Sequence, residues 1–301
     1  MSPIKNVTLA GATGSLGPAI LTALLESKLF EVTVWTRLGS THKFPDGVRV
    51  KSIDYASESS MLEALTGQDA LVSTLNHFGL SVQKLMIDAC VRAGVQRFIP
   101  SEFGCDTENA RIRTIPFFAH KLTVEEHLRE QAAANPAFSY TLVFTAAFLD
   151  WGLDTGFLVD VKGRRAALQD GGDVLVTTTN LSTIGQAVVR ILSRPAQTAN
   201  RAVRIKSADL TQNQIIAIAK KIDPTAQWET TVSNTEEAER QALESLGEGA
   251  LDDSALAPFL YRGLFGAGYG SHFEKNDNEL LGIKLLTDTE VEAVVRNVMN
   301  A

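Results

Sequence analysis

Short apolar runs alternate with amphipathic stretches through the first half of the chain. Asn6–Ala10 and Glu31–Arg37 read as strands, and Val48–Asp54, Ala70–Leu75, Arg97–Pro100 and Tyr140–Phe144 repeat the pattern. Between them, Pro18–Leu25, Ser57–Thr66, Leu80–Ala93 and Phe118–Ala134 carry apolar residues at helical spacing. Alternation of this kind predicts an α/β fold of Rossmann type, a doubly wound parallel sheet with helices on both faces. The run Leu142–Phe148 is almost uninterruptedly apolar, as expected of a strand buried on both sides.

The second half is less regular. Trp151–Ala167 is mixed, Val174–Thr178 and Ala202–Lys206 read as short strands, and Leu181–Leu192 reads as a helix. Thr211 with Gln214, and Thr287 with Glu290, have the spacing of capping boxes, opening a helix to Lys221 and a final helix. Thr235–Leu246 is an acidic helical stretch, and a glycine-rich segment follows at Gly263–His272. The expected division is a dinucleotide-binding domain over 1–150, completed by parts of 181–206, and a small C-terminal α/β substrate lobe over 151–301.

Gly11-Ala-Thr-Gly14-Ser-Leu-Gly17 lies between the first strand and the first helix. A dinucleotide pyrophosphate needs a sharp turn at the strand end, a close backbone approach and a helix packed tightly on the sheet, and Gly11, Gly14 and Gly17 permit these in turn. Thr13, Ser15 and Leu16 share that loop and are assigned to the cofactor with the glycines. The second strand ends in Thr36-Arg37, where an NAD-binding chain usually carries Asp or Glu. A guanidinium pairs bidentately with a 2′-phosphate that a carboxylate would repel, so NADP(H) is the expected cofactor. His42 and Lys43 add positive charge nearby.

Bulk properties narrow the class. The 301 residues are 45 % hydrophobic and 21 % charged, as in ordinary globular domains. A net charge of −7 without a long basic run speaks against direct nucleic-acid binding. No apolar stretch approaches the ~18 residues that span a bilayer, and the chain enters its first strand without space for a signal peptide. Cys90 and Cys105 make no disulfide framework. A cytoplasmic protein, monomer or homodimer, is therefore expected, with no membrane partner.

Further chemistry collects at the predicted strand ends. Asp54 could accept from an adenine amino group or simply form a turn. Thr74, Leu75 and Asn76 would lie along the middle of the cofactor, and Pro100-Ser-Glu-Phe-Gly104 beside the nicotinamide. Phe103, Lys121 and Phe144 are also assigned to the cofactor. The following helix carries Phe117-Phe-Ala-His-Lys121, where short-chain dehydrogenases have Tyr-x-x-x-Lys. Phe117 has no proton to give, which leaves Lys121 as the candidate acid or base. His120 and His127 lack a third ligand, and no metal site is expected. Phe103, Phe148, Trp151 and Phe157 could line an apolar pocket or form core, while Tyr269 and His272 are expected to reach the cleft from a substrate loop.

Taken together, Gly11–Gly17, Pro100–Gly104 and Lys121 resemble the isoflavone-reductase-like, NmrA-like branch of atypical short-chain dehydrogenases. Phe144–Trp151, Asp170-Gly-Gly-Asp173 and Gly268–Glu274 further resemble its fungal members. The resemblance implies a Rossmann domain with a small substrate lobe, NADPH as cofactor, and Lys121 in the position of the proton-transfer lysine of plant members, whose substrates are phenolic. The expected function is NADPH-dependent reduction of a small aromatic or polyketide-like metabolite (a ketone, enone, quinone or benzylic ether), with Lys121 relaying the proton and Ser101 bonding the substrate carbonyl or the carboxamide. Two alternatives stay open: an NADP(H)-sensing regulator of NmrA type without turnover, and a redox-neutral isomerase or dehydratase.

Overall fold

The apolar runs of the first half become strands β1 (Asn6–Ala10), β2 (Glu31–Arg37), β3 (Arg49–Ile53), β4 (Ala70–Ser73), β5 (Arg97–Ile99) and β6 (Ser139–Phe144). Shorter strands follow: β7 (Ala147–Phe148), β8 (Arg165–Gln169), β9 (Val176–Thr179), β10 (Arg201–Arg204), β11 (Ala208–Leu210) and β12 (Glu229–Ser233). The structure, a computed structural model, describes residues 2–247 and 253–301. Its main sheet is parallel throughout, in the order β10-β6-β5-β4-β1-β2-β3.

That order fixes where a ligand can lie. From β1 the chain winds outward through β2 and β3, then crosses back to β4 on the other side of β1. The loops after β1 and β4 therefore diverge and leave a crevice at the carboxyl ends of the strands. Val7 and Leu9 are fully buried, and both faces of the sheet are covered: Trp35, Ile53, Met61 and Phe98 pack on one side, Ile20, Leu24, Ile184 and Val188 on the other. The helix Leu181–Ser193 packs on the first helix, Gly17–Ser27, and β10 pairs with β6, so these later segments extend the sheet built by the first 144 residues. Arg97, fully buried, braces that junction by donating to Ser139 Oγ, Thr141 Oγ1, Thr198 Oγ1 and the Pro195 carbonyl.

The run Leu142–Phe148 is not one strand. Phe144 ends β6, and the amides of Thr145 and Ala146 turn back to donate to the Gly104 carbonyl at 3.1 and 2.9 Å. Ala146 takes φ +48°, and β7 joins a separate sheet in the order β11-β9-β7. A run of apolar residues cannot reveal such a turn, because both halves are buried. The helix expected from Leu80 likewise begins as a 3₁₀ segment over His77–Val82 and turns α-helical at Gln83. An unforeseen helix, Asp253–Phe265, tolerates Pro258 and takes in Gly263, two residues that read as breakers. No helix among the described residues is long and apolar enough to cross a membrane.

Both capping boxes form, at Thr211–Gln214 and Thr287–Glu290. Thr211 Oγ1 accepts the Gln214 amide at 3.0 Å, and Gln214 returns the bond to the Thr211 amide at 2.9 Å. Thr211→Ala removes one of these bonds. It is expected to cost about 1 kcal/mol, read as a lower urea midpoint with an unchanged m-value.

Candidate functional site

One cleft of about 1020 Å³ runs along the carboxyl ends of the main sheet. It begins at the glycine turn. Gly11 sits at φ +88° under Thr74, whose hydroxyl donates to the Ala10 and Gly11 carbonyls at 3.0 Å each. A Cβ on Gly17 would collide with the Gly11 carbonyl and stand 2.6 Å from Ala12 Cα, so the helix seats against the turn only because that position is glycine. Gly14 differs. A Cβ there would meet nothing closer than the Gly11 carbonyl at 3.5 Å, so its bare surface forms part of the cleft wall. The positive end of the helix Gly17–Ser27 suits this cradle to a phosphate group.

Beyond the cradle the cleft has three parts. At one end Arg37, Ser40, Thr41 and His42 surround the space at the tip of β2, with Trp35 and Tyr55 packed edge to face at 6.2 Å. Burial pushes the Tyr55 hydroxyl up to about 12, with the Arg37 charge pulling it back. In the middle lie Thr74, Leu75 and Asn76. Ser101 lines the wall there, but its hydroxyl donates to the Leu75 carbonyl at 2.7 Å and its amide to Gln83 Oε1 at 2.8 Å. With its proton engaged, Ser101 can accept a hydrogen bond but not donate one to a carbonyl. These bonds join the loops after β4 and β5 and leave the Ser101 oxygen able to accept from a carboxamide, the second of the two contacts expected of it.

The far end is apolar apart from one charged pair. Phe103, Phe117, Phe118, Phe148, Trp151 and Phe157 line it, with Leu260 and Leu264 from the helix Asp253–Phe265. Trp151 stands 5.7 Å from Phe157, which stacks on Tyr261 at 4.8 Å, so the aromatic wall continues into the core. Lys121 Nζ opens on this space, donates to the Glu102 carbonyl and lies 3.7 Å from Glu102 Oε2. Burial is the main force raising the Glu102 carboxyl, to about 7; Lys121 opposes it and Glu125 adds to it. Phe103 at φ +22° and Ala146 at φ +48° border the same space. Backbone strain of this kind collects at functional sites.

Comparison with known proteins gives this cleft a context. Residues 3–235 match the NmrA-like family. The chain belongs to it. Oxidoreductase aprR of Aspergillus flavus is 33 % identical over 297 residues, covering 96 % of this chain and 98 % of that one. Oxidoreductase poxI of Penicillium oxalicum is 32 % identical over 302 residues, covering 97 % and 94 %. Among solved structures, the binary complex of leucoanthocyanidin reductase with NADPH, from Vitis vinifera, superposes with a TM-score of 0.78 at 18 % identity, covering 98 % of this chain and 100 % of that one.

In this NmrA-like protein the cleft gathers Gly11, Thr13, Gly14, Ser15, Leu16, Arg37, Thr74, Leu75, Asn76, Ser101, Phe103, Lys121, Phe148 and Trp151. Other expected residues lie elsewhere. Gly17 supports the turn from behind. Asp54 Oδ1 accepts the Ala56 amide at 2.9 Å, the turn-forming alternative, and is not in the cleft wall. Phe144 is fully buried with the Arg204 guanidinium 5.5 Å above its ring, so it is core rather than cofactor contact. Tyr269 is buried beneath Arg262, 4.9 Å from its ring. His272 faces a second, smaller cavity beside Asp106 and Arg204, its Nε2 3.4 Å from Asp209. The expectation that Tyr269 and His272 reach the cleft is therefore wrong: the segment folds back under the end of the helix Asp253–Phe265, where the Tyr269 amide donates to the Gly266 carbonyl and Ser271 Oγ to that of Gly263.

His127 pairs with Asp88 at 2.6 Å, and among the described residues no His, Cys, Asp and Glu cluster could hold a metal. Sequence reasoning passed over Glu102, although a carboxylate between Pro100 and Phe103 is an unusual residue to bury. It also passed over Leu260 and Leu264, whose four-residue spacing marks one face of a helix.

Proposed function

We propose that this NmrA-like protein is an NADPH-dependent reductase of a small, ring-containing molecule. The observation that carries this reading is the continuity of the cleft. A phosphate cradle, an arginine suited to a 2′-phosphate, a half-buried lysine and an aromatic wall follow one another along a single cavity. The relatives named as oxidoreductases and the NADPH complex of a similarly folded reductase support it.

The amides of the 11–17 turn and the helix behind them would hold the pyrophosphate, and Arg37 the 2′-phosphate. NADPH supplies a hydride when bound. Lys121 holds the proton that must reach the substrate as the hydride does, and the aromatic wall positions an apolar ring while keeping water away. Residues after 150 supply half of that wall (Trp151, Phe157, Leu260 and Leu264), while the groups assigned to the cofactor come from 11–121. This division supports reading 1–150, completed by parts of 181–206, as the nucleotide domain and 151–301 as mainly the substrate lobe.

Loss of NADPH absorbance with a panel of quinones, enones and phenolic ketones tests the reading. Turnover of at least one class is expected. NADP(H) binding without turnover of any class would favour the sensing role, and interconversion without loss of NADPH an isomerase or dehydratase. Arg37→Ala is expected to raise the Kd for NADPH about 10- to 100-fold, the worth of a charge-assisted bidentate pair. NADH binding should stay the same, and titration by NADPH fluorescence checks both.

A further inference from the structure

We propose that the Glu102 carboxylate is the counter-ion of Lys121, a positioning residue that keeps Nζ protonated and seated at the aromatic end of the cleft. The proposal concerns the proton-holding group of the reductase site proposed above, and rests on that reading for its role in turnover.

Glu102 is 1 % exposed, and its carboxylate oxygens make no close hydrogen bond among the described residues, with the Lys121 ammonium and the Thr107 hydroxyl standing beside them. An ionised carboxylate left in that state costs several kcal/mol unless a positive charge stands beside it. Lys121 Nζ is that charge, 3.7 Å from Oε2, and its bond to the Glu102 main-chain carbonyl holds both groups of one residue against one ammonium. The other charged groups packed around the pair are already engaged. Glu125, on the helix Ala119–Ala134, is buried, accepts the Thr107 hydroxyl and lies 3.6 Å from both Arg113 and Arg129. Asp106 is bound by Arg204 at 2.7 Å, and the buried Cys105 thiol is held in its neutral form by a rise to about 11. Glu102 thus depends on Lys121 as Lys121 depends on Glu102.

The consequence is directional. When Nζ gives one proton to a substrate it becomes a neutral amine, and the carboxylate is left as an uncompensated buried charge. The pair then draws one proton back from water, to Nζ or to Glu102, and the starting charge is restored. A neutral glutamine keeps the shape but removes this pull, so Nζ should hold its proton less firmly.

Competitive labelling with acetic anhydride across pH, read at Lys121 by peptide mass spectrometry and normalised to the exposed Lys220, tests this on the full chain without any substrate. In Glu102→Gln, Lys121 labelling at pH 8 is expected to rise about tenfold over wild type, the change produced when an amine holds its proton one pH unit less firmly. Equal labelling of the two proteins would overturn the proposal. Should Glu102→Gln fail to fold, Lys121→Met gives the reciprocal readout by infrared titration. The Glu102 carboxyl should then stay protonated to higher pH than in wild type, and an unchanged carboxyl titration would overturn the proposal equally. Neither readout needs turnover. A protein that consumes no NADPH would count against the reductase reading alone.

Discussion

Lys121→Met is expected to lower kcat for NADPH-dependent reduction by about 10²- to 10⁴-fold, the usual contribution of a positioned general acid. Methionine keeps the length and apolar character of the lysine stem. What disappears is the ammonium. Phe117, at the tyrosine position, has no proton to replace it, the Ser101 hydroxyl donates to the Leu75 carbonyl, and the Glu102 carboxyl, the remaining acid at that end, is only 1 % exposed. NADPH affinity should change far less than kcat, since the cradle and Arg37 stand apart from Lys121 along the cleft. Stopped-flow absorbance on a turned-over substrate measures kcat, and fluorescence titration measures binding. Unchanged kcat with weakened NADPH binding would make Lys121 a cofactor ligand and nothing more.

Gly17→Ala is expected to damage the fold as well as the site. The added methyl would enter space held by the Gly11 carbonyl and the Ala12 backbone, at 2.6 Å from Ala12 Cα, and backbone cannot step aside as a flexible side chain can. Overpacking of this kind costs about 1–3 kcal/mol, and displacing the helix from the turn should abolish measurable NADPH binding. Gly14→Ala is the informative partner. Its methyl would meet nothing closer than 3.5 Å, so stability should be near that of wild type while the methyl stands in the space read as the phosphate cradle. Thermal melts and NADPH titrations of the pair separate the two roles. Equal NADPH affinity in Gly14→Ala and wild type would argue against a pyrophosphate at that turn.

Much of the site was legible because it is local. The glycines at 11, 14 and 17, Arg37 at the end of β2 and Lys121 in the helix Ala119–Ala134 each declare themselves by a position relative to one strand or helix. The parallel sheet followed from strand and helix alternation, and both capping boxes from residue spacing. What failed depended on tertiary placement. Phe144 and Phe148 look equivalent in one apolar run, yet the turn at Ala146 sends the first into the core and the second into the cleft wall. Tyr269 and His272 sit in a glycine-rich segment whose direction is set by Arg262 on the preceding helix and Gly266 just past its end, and nothing local points it away from the cleft. Glu102 stands in plain view inside Pro100–Gly104. Its importance lies in burial beside Lys121, which the chain order conceals by placing the two 19 residues apart.

A crystal structure of the chain bound to NADP⁺ tests the central claim most directly. The account predicts the pyrophosphate on the 11–17 turn, the 2′-phosphate against Arg37, and the nicotinamide beside Lys121 with the aromatic space open next to it. A dinucleotide bound outside this cleft, or one whose nicotinamide lies away from Lys121, would contradict it.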